Sequence, residues 1–208
     1  MQGPNTTLSL IDKGAALGDQ DKFDEAIKVL DEAIRMAPNY AYAWNTKGIV
    51  LHNQGKSDEA IKCVNEAIKL DPNYAYAWNV KGVILSKQSE ALDDPEISLD
   101  GQEKYDEAMR CFDEAIRLDP NLTQTWIDKG IALLGQGRAI VRLGFDGKRD
   151  YDESIKCFDE AIRLDPDNAA IWSKKWAALL KMGRDTEAET ALSRAKELEA
   201  EAASSRSD

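Results

Sequence analysis

A single histidine, His52, occurs in the 208 residues, along with only three cysteines and six prolines. One imidazole excludes a multi-histidine metal centre and leaves none to spare for a serine–histidine network. The odd cysteine count, at Cys63, Cys111 and Cys157, argues against a disulfide framework. Positive charge is also scarce, with 27 Lys and Arg against 38 Asp and Glu for a formal net charge of −11. Phosphate backbones and anionic bilayers are therefore poor partners. No apolar run approaches the ~18 residues of a membrane span, and no charged-then-apolar leader opens the chain. Neither membrane insertion nor nucleic-acid binding is expected, and a cytoplasmic location is.

Other sources of chemistry fall away on spacing. Gly135-Gln136-Gly137 lies in a helical stretch with no strand before it, so it is not a dinucleotide loop. The acidic run from Asp93 to Asp100 lacks the ligand spacing and sixth-position glycine of a calcium loop. No cofactor and no catalytic activity are expected.

What the chain does have is a period. Ala41-Tyr42-Ala43-Trp44-Asn45 returns at Ala75-Tyr76-Ala77-Trp78-Asn79, and Pro38 and Pro72, Gly14 and Gly48, and Ala33 and Ala67 are likewise 34 residues apart. A period of this length marks stacked supersecondary units, none able to bury its apolar face alone. Counted from three residues before each Trp (Leu10 in the first), the repeats span 7–40, 41–74, 75–122, 123–168 and 169–199. Flexible ends are expected at 1–6 and 200–208. The cysteines take one equivalent place in successive repeats, beyond the ~7 Å reach of a disulfide, and are expected to fill helix interiors.

Each repeat reads as a helical hairpin. The first helix carries Trp and, four residues on, a Gly: Gly14, Gly48, Gly82 and Gly130. Gly costs ~1 kcal/mol in a helix interior. Close approach to a small residue of the second helix, Ala26, Ala60, Ala108 or Ser154, is the expected compensation. Lys13, Lys47, Lys81, Lys129 and Lys175 sit beside this position, with stems expected over apolar surface and ammonium groups in water. The second helix opens at Asp24-Glu25, Asp58-Glu59, Asp106-Glu107 and Asp152-Glu153, where carboxylates suit the helix dipole. Its apolar stripe, Ala26, Ile27, Leu30, Ala33 and Ile34, has helical spacing, and Pro38 or its equivalent stops it.

These residues resemble the tetratricopeptide repeat family. The family's order of Trp, small residue, Leu or aromatic, Ala, aromatic, Ala and Pro is matched by Trp44, Gly48, Leu51, Ala60, Val64, Ala67 and Pro72. It is matched again by Trp78, Gly82, Leu85, Ala108, Phe112, Ala115 and Pro120. Trp176 departs from it, standing where the other repeats have the small residue. The resemblance covers 7–199 and implies an all-α, right-handed superhelical solenoid of five hairpins that acts as a protein-interaction scaffold. It also implies a concave peptide groove on the first helices. By position the groove would use Tyr42, Asn45, Ile49 and His52, then Tyr76, Asn79, Val83 and Ser86, then Gln124, Ile127, Ile131 and Leu134. The last repeat would add Ala170, Ser173, Ala177 and Leu180. Exposed Asn amides there could bond both groups of an extended backbone, with Tyr supplying amphipathic area. The charge favours a basic peptide or protein. The Lys/Asn/Arg clamp by which some members hold a chaperone's terminal carboxylate is absent, since its places carry Ile11, Ala15, Thr46, Tyr76 and Val80.

Two repeats are longer. Trp78 to Trp126 spans 48 residues and Trp126 to Trp172 spans 46, with the surplus between first and second helix. The reading is that both first helices are prolonged by two turns, to Asp94-Pro95 and to Gly144. Glu90 and Asp94 then match Arg138 and Arg142 with opposite sign, and Val141, Leu143 and Phe145 crown the second extension. Two uses fit these extensions: mutual bracing, or a ridge that docks a partner. The alternative function is accordingly self-assembly, through this ridge or through the ends of the stack.

Overall fold

The computed structural model describes residues 4–90 and 99–204. Among the described residues there are ten α-helices and no strand. The helices are α1 (Pro4–Asp19), α2 (Phe23–Met36), α3 (Ala41–Asn53), α4 (Ser57–Leu70), α5 (Ala75–Glu90), α6 (Leu99–Leu118), α7 (Thr123–Arg142), α8 (Lys148–Leu164), α9 (Ala169–Lys181) and α10 (Asp185–Ser204). They form two compact units, α1–α6 and α7–α10. Within each unit consecutive pairs make hairpins, and each second helix also packs on the first helix of the next hairpin.

The 34-residue period is visible in the backbone. Asp21, Gly55 and Gly183, each eleven residues after Leu10, Trp44 or Trp172, take the left-handed conformation that ends the hairpin turn, with φ of 59°, 86° and 67°. In the fourth repeat that place is Gly137, inside α7, and the left-handed residue is Gly144 at φ 84°, seven residues later. Seven residues are two helical turns, so the first helix of this repeat is prolonged as its sequence predicts. The prolongation is not confined to first helices, however. The second helix α6 starts at Leu99, well before Asp106, and α8 starts at Lys148, before Asp152. Tyr105 and Tyr151, 7% and 4% exposed, extend the apolar stripe one heptad ahead of Phe112 and Phe158. A helix that gains a buried anchor continues through it. Asp94-Pro95 lies outside the described residues.

The helix glycines work differently from the expectation. Their nearest neighbours are large side chains: a Cβ on Gly14 would lie 2.6 Å from Leu30 Cγ, and one on Gly48 would lie 2.5 Å from Val64 Cγ2, with the expected Ala60 present only through its backbone oxygen at 3.3 Å. On Gly82 and Gly130 it would meet the rings of Phe112 and Phe158 at 2.8 and 2.7 Å. Gly is a notch that lets a large side chain lie on the helix backbone. Gly137 repeats the device, its notch filled by Tyr151. Phe112 and Phe158 are fully buried as a result, each worth about 1.5–3 kcal/mol in area removed from water. In the last repeat Trp176 occupies the notch position and packs, half-buried, against the core of its unit.

A second device joins hairpin to hairpin. The indole N–H of Trp44, Trp78, Trp126 and Trp172 donates to the carbonyl of Pro38, Pro72, Pro120 and Pro166, at 2.9–3.0 Å each time. The proline that stops one helix thus receives the anchor of the next. Charged groups add to this. Lys47 and Lys175 do not end in open water but pair with Asp31 and Asp159 on the preceding helix, and Lys81 pairs with Glu107. Gln54 and Gln88 donate to Asp24 and Asp58, both at 2.8 Å.

Candidate binding face

The first helices of the N-terminal unit carry a tyrosine cluster. Tyr40 caps the start of α3 and Tyr42 lies in its first turn, the two rings 6.1 Å apart and inclined at 70°. One period later Tyr74 and Tyr76 repeat this at the start of α5, 6.4 Å apart and inclined at 45°. The rings of each pair are close and inclined, so each pair forms a corner. The Tyr74 phenol is pushed up to about 12 by its burial and then by the phenols of Tyr42 and Tyr76, with a smaller effect from Tyr40. Tyr40 and Tyr76 remain 42% and 36% exposed. The face predicted from sequence omits Tyr40 and Tyr74. Their own 34-residue spacing, one residue ahead of the repeated segment, is the signal that marks them.

Asn45 is not exposed as expected but fully buried, as Asn79 nearly is at 2%. The amide of Asn45 lies beside the Tyr74 hydroxyl. Neither its nitrogen nor its oxygen has a hydrogen-bond partner at bonding geometry. The expected exposure of this residue is overturned by its depth, with Tyr74 of the next repeat beside it. A buried amide left in this way costs about 1–3 kcal/mol.

The remaining predicted positions divide. Tyr42, Ile49, His52 and Val83 are half-buried, and Ile49 packs against the core between the second and third hairpins. His52 is held below the usual imidazole range by burial, then by the charge of Lys87, and its Nδ1 lies 3.4 Å from Ser57 Oγ. Ser86 is buried and donates to the Val83 carbonyl. In the C-terminal unit Gln124 is exposed and donates to Asp128. Ile127 and Ile131 pack against the core, and Leu134 belongs to it. These three are packing residues more than surface. Ala170 and Leu180 are exposed.

On the ridge, Val141 and Phe145 are 49% and 67% exposed. Arg138, Arg142, Lys148 and Arg149 are exposed around them, and Leu143 is half-buried. Arg138 Nε donates to the Leu134 carbonyl. Asp94 lies outside the described residues, and of Glu90 only the backbone is described.

Tetratricopeptide repeat profiles match residues 11–75 and 46–93, 98–122 and 148–183. The chain is a tetratricopeptide repeat protein. No curated relative matches it in sequence. Among solved structures it is similar to TTC0263, a thermophilic tetratricopeptide protein in Thermus thermophilus, at 18% identity and a TM-score of 0.75, over 92% of this chain and 91% of that one. It is also similar to MamA from Desulfovibrio magneticus RS-1, at 18% identity and a TM-score of 0.68, over 97% and 98%. A further MamA crystal structure matches at 18% and 0.66, over 92% and 96%. At such identities the likeness is one of fold. Membership of this family makes the chain a protein-interaction module. Among the described residues no helix is long and apolar enough to cross a membrane.

Proposed function

We propose that this tetratricopeptide protein is a non-catalytic adaptor that binds an extended peptide across the α3 and α5 face. The observation that supports this is the pairing of Tyr40 with Tyr42 and of Tyr74 with Tyr76 at the starts of two helices in contact, with Asn45 buried beside Tyr74. Exposed tyrosines supply rigid area with a polar tip, and a buried amide without partners is an unsatisfied group that an incoming backbone can meet. The net charge of −11 favours basic residues flanking the bound segment. Nucleophilic chemistry has little support. Cys63, Cys111 and Cys157 are buried, and burial pushes Cys111 up to about 11. The test is selection of peptides from a random displayed library by wild type and by the Tyr42→Ala/Tyr76→Ala variant. Peptides held by wild type and released by the folded variant support the face. Equal retention removes it.

A second reading, self-assembly, is favoured by the exposure of Phe145 and Val141 among Arg138, Arg142, Lys148 and Arg149 on an otherwise acidic chain. It requires a sedimentation mass that rises with concentration and stops rising in Phe145→Ser.

A further inference from the structure

We propose that the occupant of the tyrosine face is a proline-rich segment in the polyproline II conformation, its rings seated in the corners made by Tyr40–Tyr42 and Tyr74–Tyr76. The inference rests on the reading of α3 and α5 as the peptide site and names the class of peptide.

The corners are the first reason. Two tyrosine rings inclined at 70°, and two more at 45°, make clefts rather than a flat stack. A pyrrolidine ring is compact and apolar, and aromatic clefts are a recurrent means of docking proline-rich chains. Spacing is the second. The helices α3 and α5 are in contact, and packed helices lie ~8–10 Å apart. A polyproline II chain returns to the same face every third residue, after ~9 Å. A ring seated on one repeat therefore places the ring three residues on at the next.

Hydrogen bonding is the third. A proline lacks its own N–H, and the carbonyls of a polyproline II chain are bonded to nothing within it. Such a ligand asks its site for donors. The face supplies tyrosine hydroxyls and, beside that of Tyr74, the buried Asn45 amide, whose contact with it falls short of bonding geometry. Reaching that amide requires the Tyr74 ring to turn aside, a side-chain change common on binding.

The experiment is a calorimetric titration of the full chain with a ten-residue polyproline peptide and with a glycine–serine peptide of equal length. The expected result is saturable binding of polyproline only, weakened about tenfold or more in Tyr42→Ala, as for loss of an interfacial aromatic anchor. Should Tyr42→Ala lower the melting temperature, Tyr40→Ala repeats the test at a more exposed ring. Polyproline that does not bind, or binds equally to both variants, overturns the proposal. If library peptides without proline still depend on the tyrosines, the face survives and only its ligand class is wrong. If no peptide depends on them, both readings fail.

Discussion

The first helices α3 and α5 of the N-terminal unit and α7 and α9 of the C-terminal unit occupy the same places in their repeats, yet they sort polar and apolar groups in opposite ways. Asn45 and Asn79 are buried, Asn45 beside Tyr74, while the matched residues are Ile127, packed on the core, and Ser173, half-buried. Tyr42 and Tyr76 are matched by Gln124 and Ala170. The framework meanwhile is the same in both units: a Gly notch under a large side chain and a Trp–Pro hydrogen bond. The repeat thus separates the parts that hold a hairpin from the parts that face outward, and only the second kind has diverged between the units.

If the framework is equivalent, Phe112→Ala and Phe158→Ala should cost the same. Both side chains are fully buried over a glycine, and the expected loss is about 3–5 kcal/mol for each. Urea unfolding followed by circular dichroism measures it. A large inequality would break the comparison at its base. A smaller effect is expected at Gly147, which opens α8. A Cβ there would stand 2.5 Å from the Gly137 carbonyl oxygen, which as backbone has little freedom to retreat. Gly147→Ala should cost about 1–3 kcal/mol, the usual range for overpacking. An unchanged midpoint would show that the tip of the long hairpin is loose.

Asn45→Leu is predicted to act with the opposite sign. Replacing an unpartnered buried amide with an apolar group of similar volume should stabilise the N-terminal unit by about 1 kcal/mol. Peptide binding should weaken at the same time, since stability and function commonly oppose one another at such sites. A destabilised variant would mean that the amide is satisfied in solution and that the two faces differ less than their residues suggest.

Most of the hairpin framework is legible in the sequence, because helix ends and apolar periodicity are local. Pro38 stops a helix whatever surrounds it, and the left-handed glycine moves by seven residues when the helix gains seven. What sequence misses is depth and partnership. Periodicity leaves Asn45 reading as a surface residue of α3, yet it is buried, with Tyr74, 29 residues away, beside it. Lys47 reads as a solvated head, yet its carboxylate partner lies on another helix, 16 residues back. Spacing pairs the notch glycines with alanines at similar height, when the space belongs to the large side chain one turn further on. Aligned charges point to lengthening of the first helices alone. Tyr105 and Tyr151 carry the complementary signal, each seven residues ahead of a buried phenylalanine.

The subtlest contrast lies between two tyrosines. Tyr151, in the C-terminal unit, has its phenol raised by burial, an effect opposed by Arg138 and reinforced by Asp150. Tyr74 is raised from 10 to about 12 by burial and by other phenols, with only the Asn45 amide opposing. A phenol raised in the folded state favours folding while it stays protonated. The contribution from Tyr74 is complete below its unfolded value near 10 and is lost as pH climbs through about 12. An absorbance titration should show a late-ionising tyrosine that disappears in Tyr74→Phe and moves earlier in Tyr42→Phe, with Tyr151 untouched by either change. Unmoved titration of Tyr74 in Tyr42→Phe would separate the two tyrosine corners on which the binding face depends.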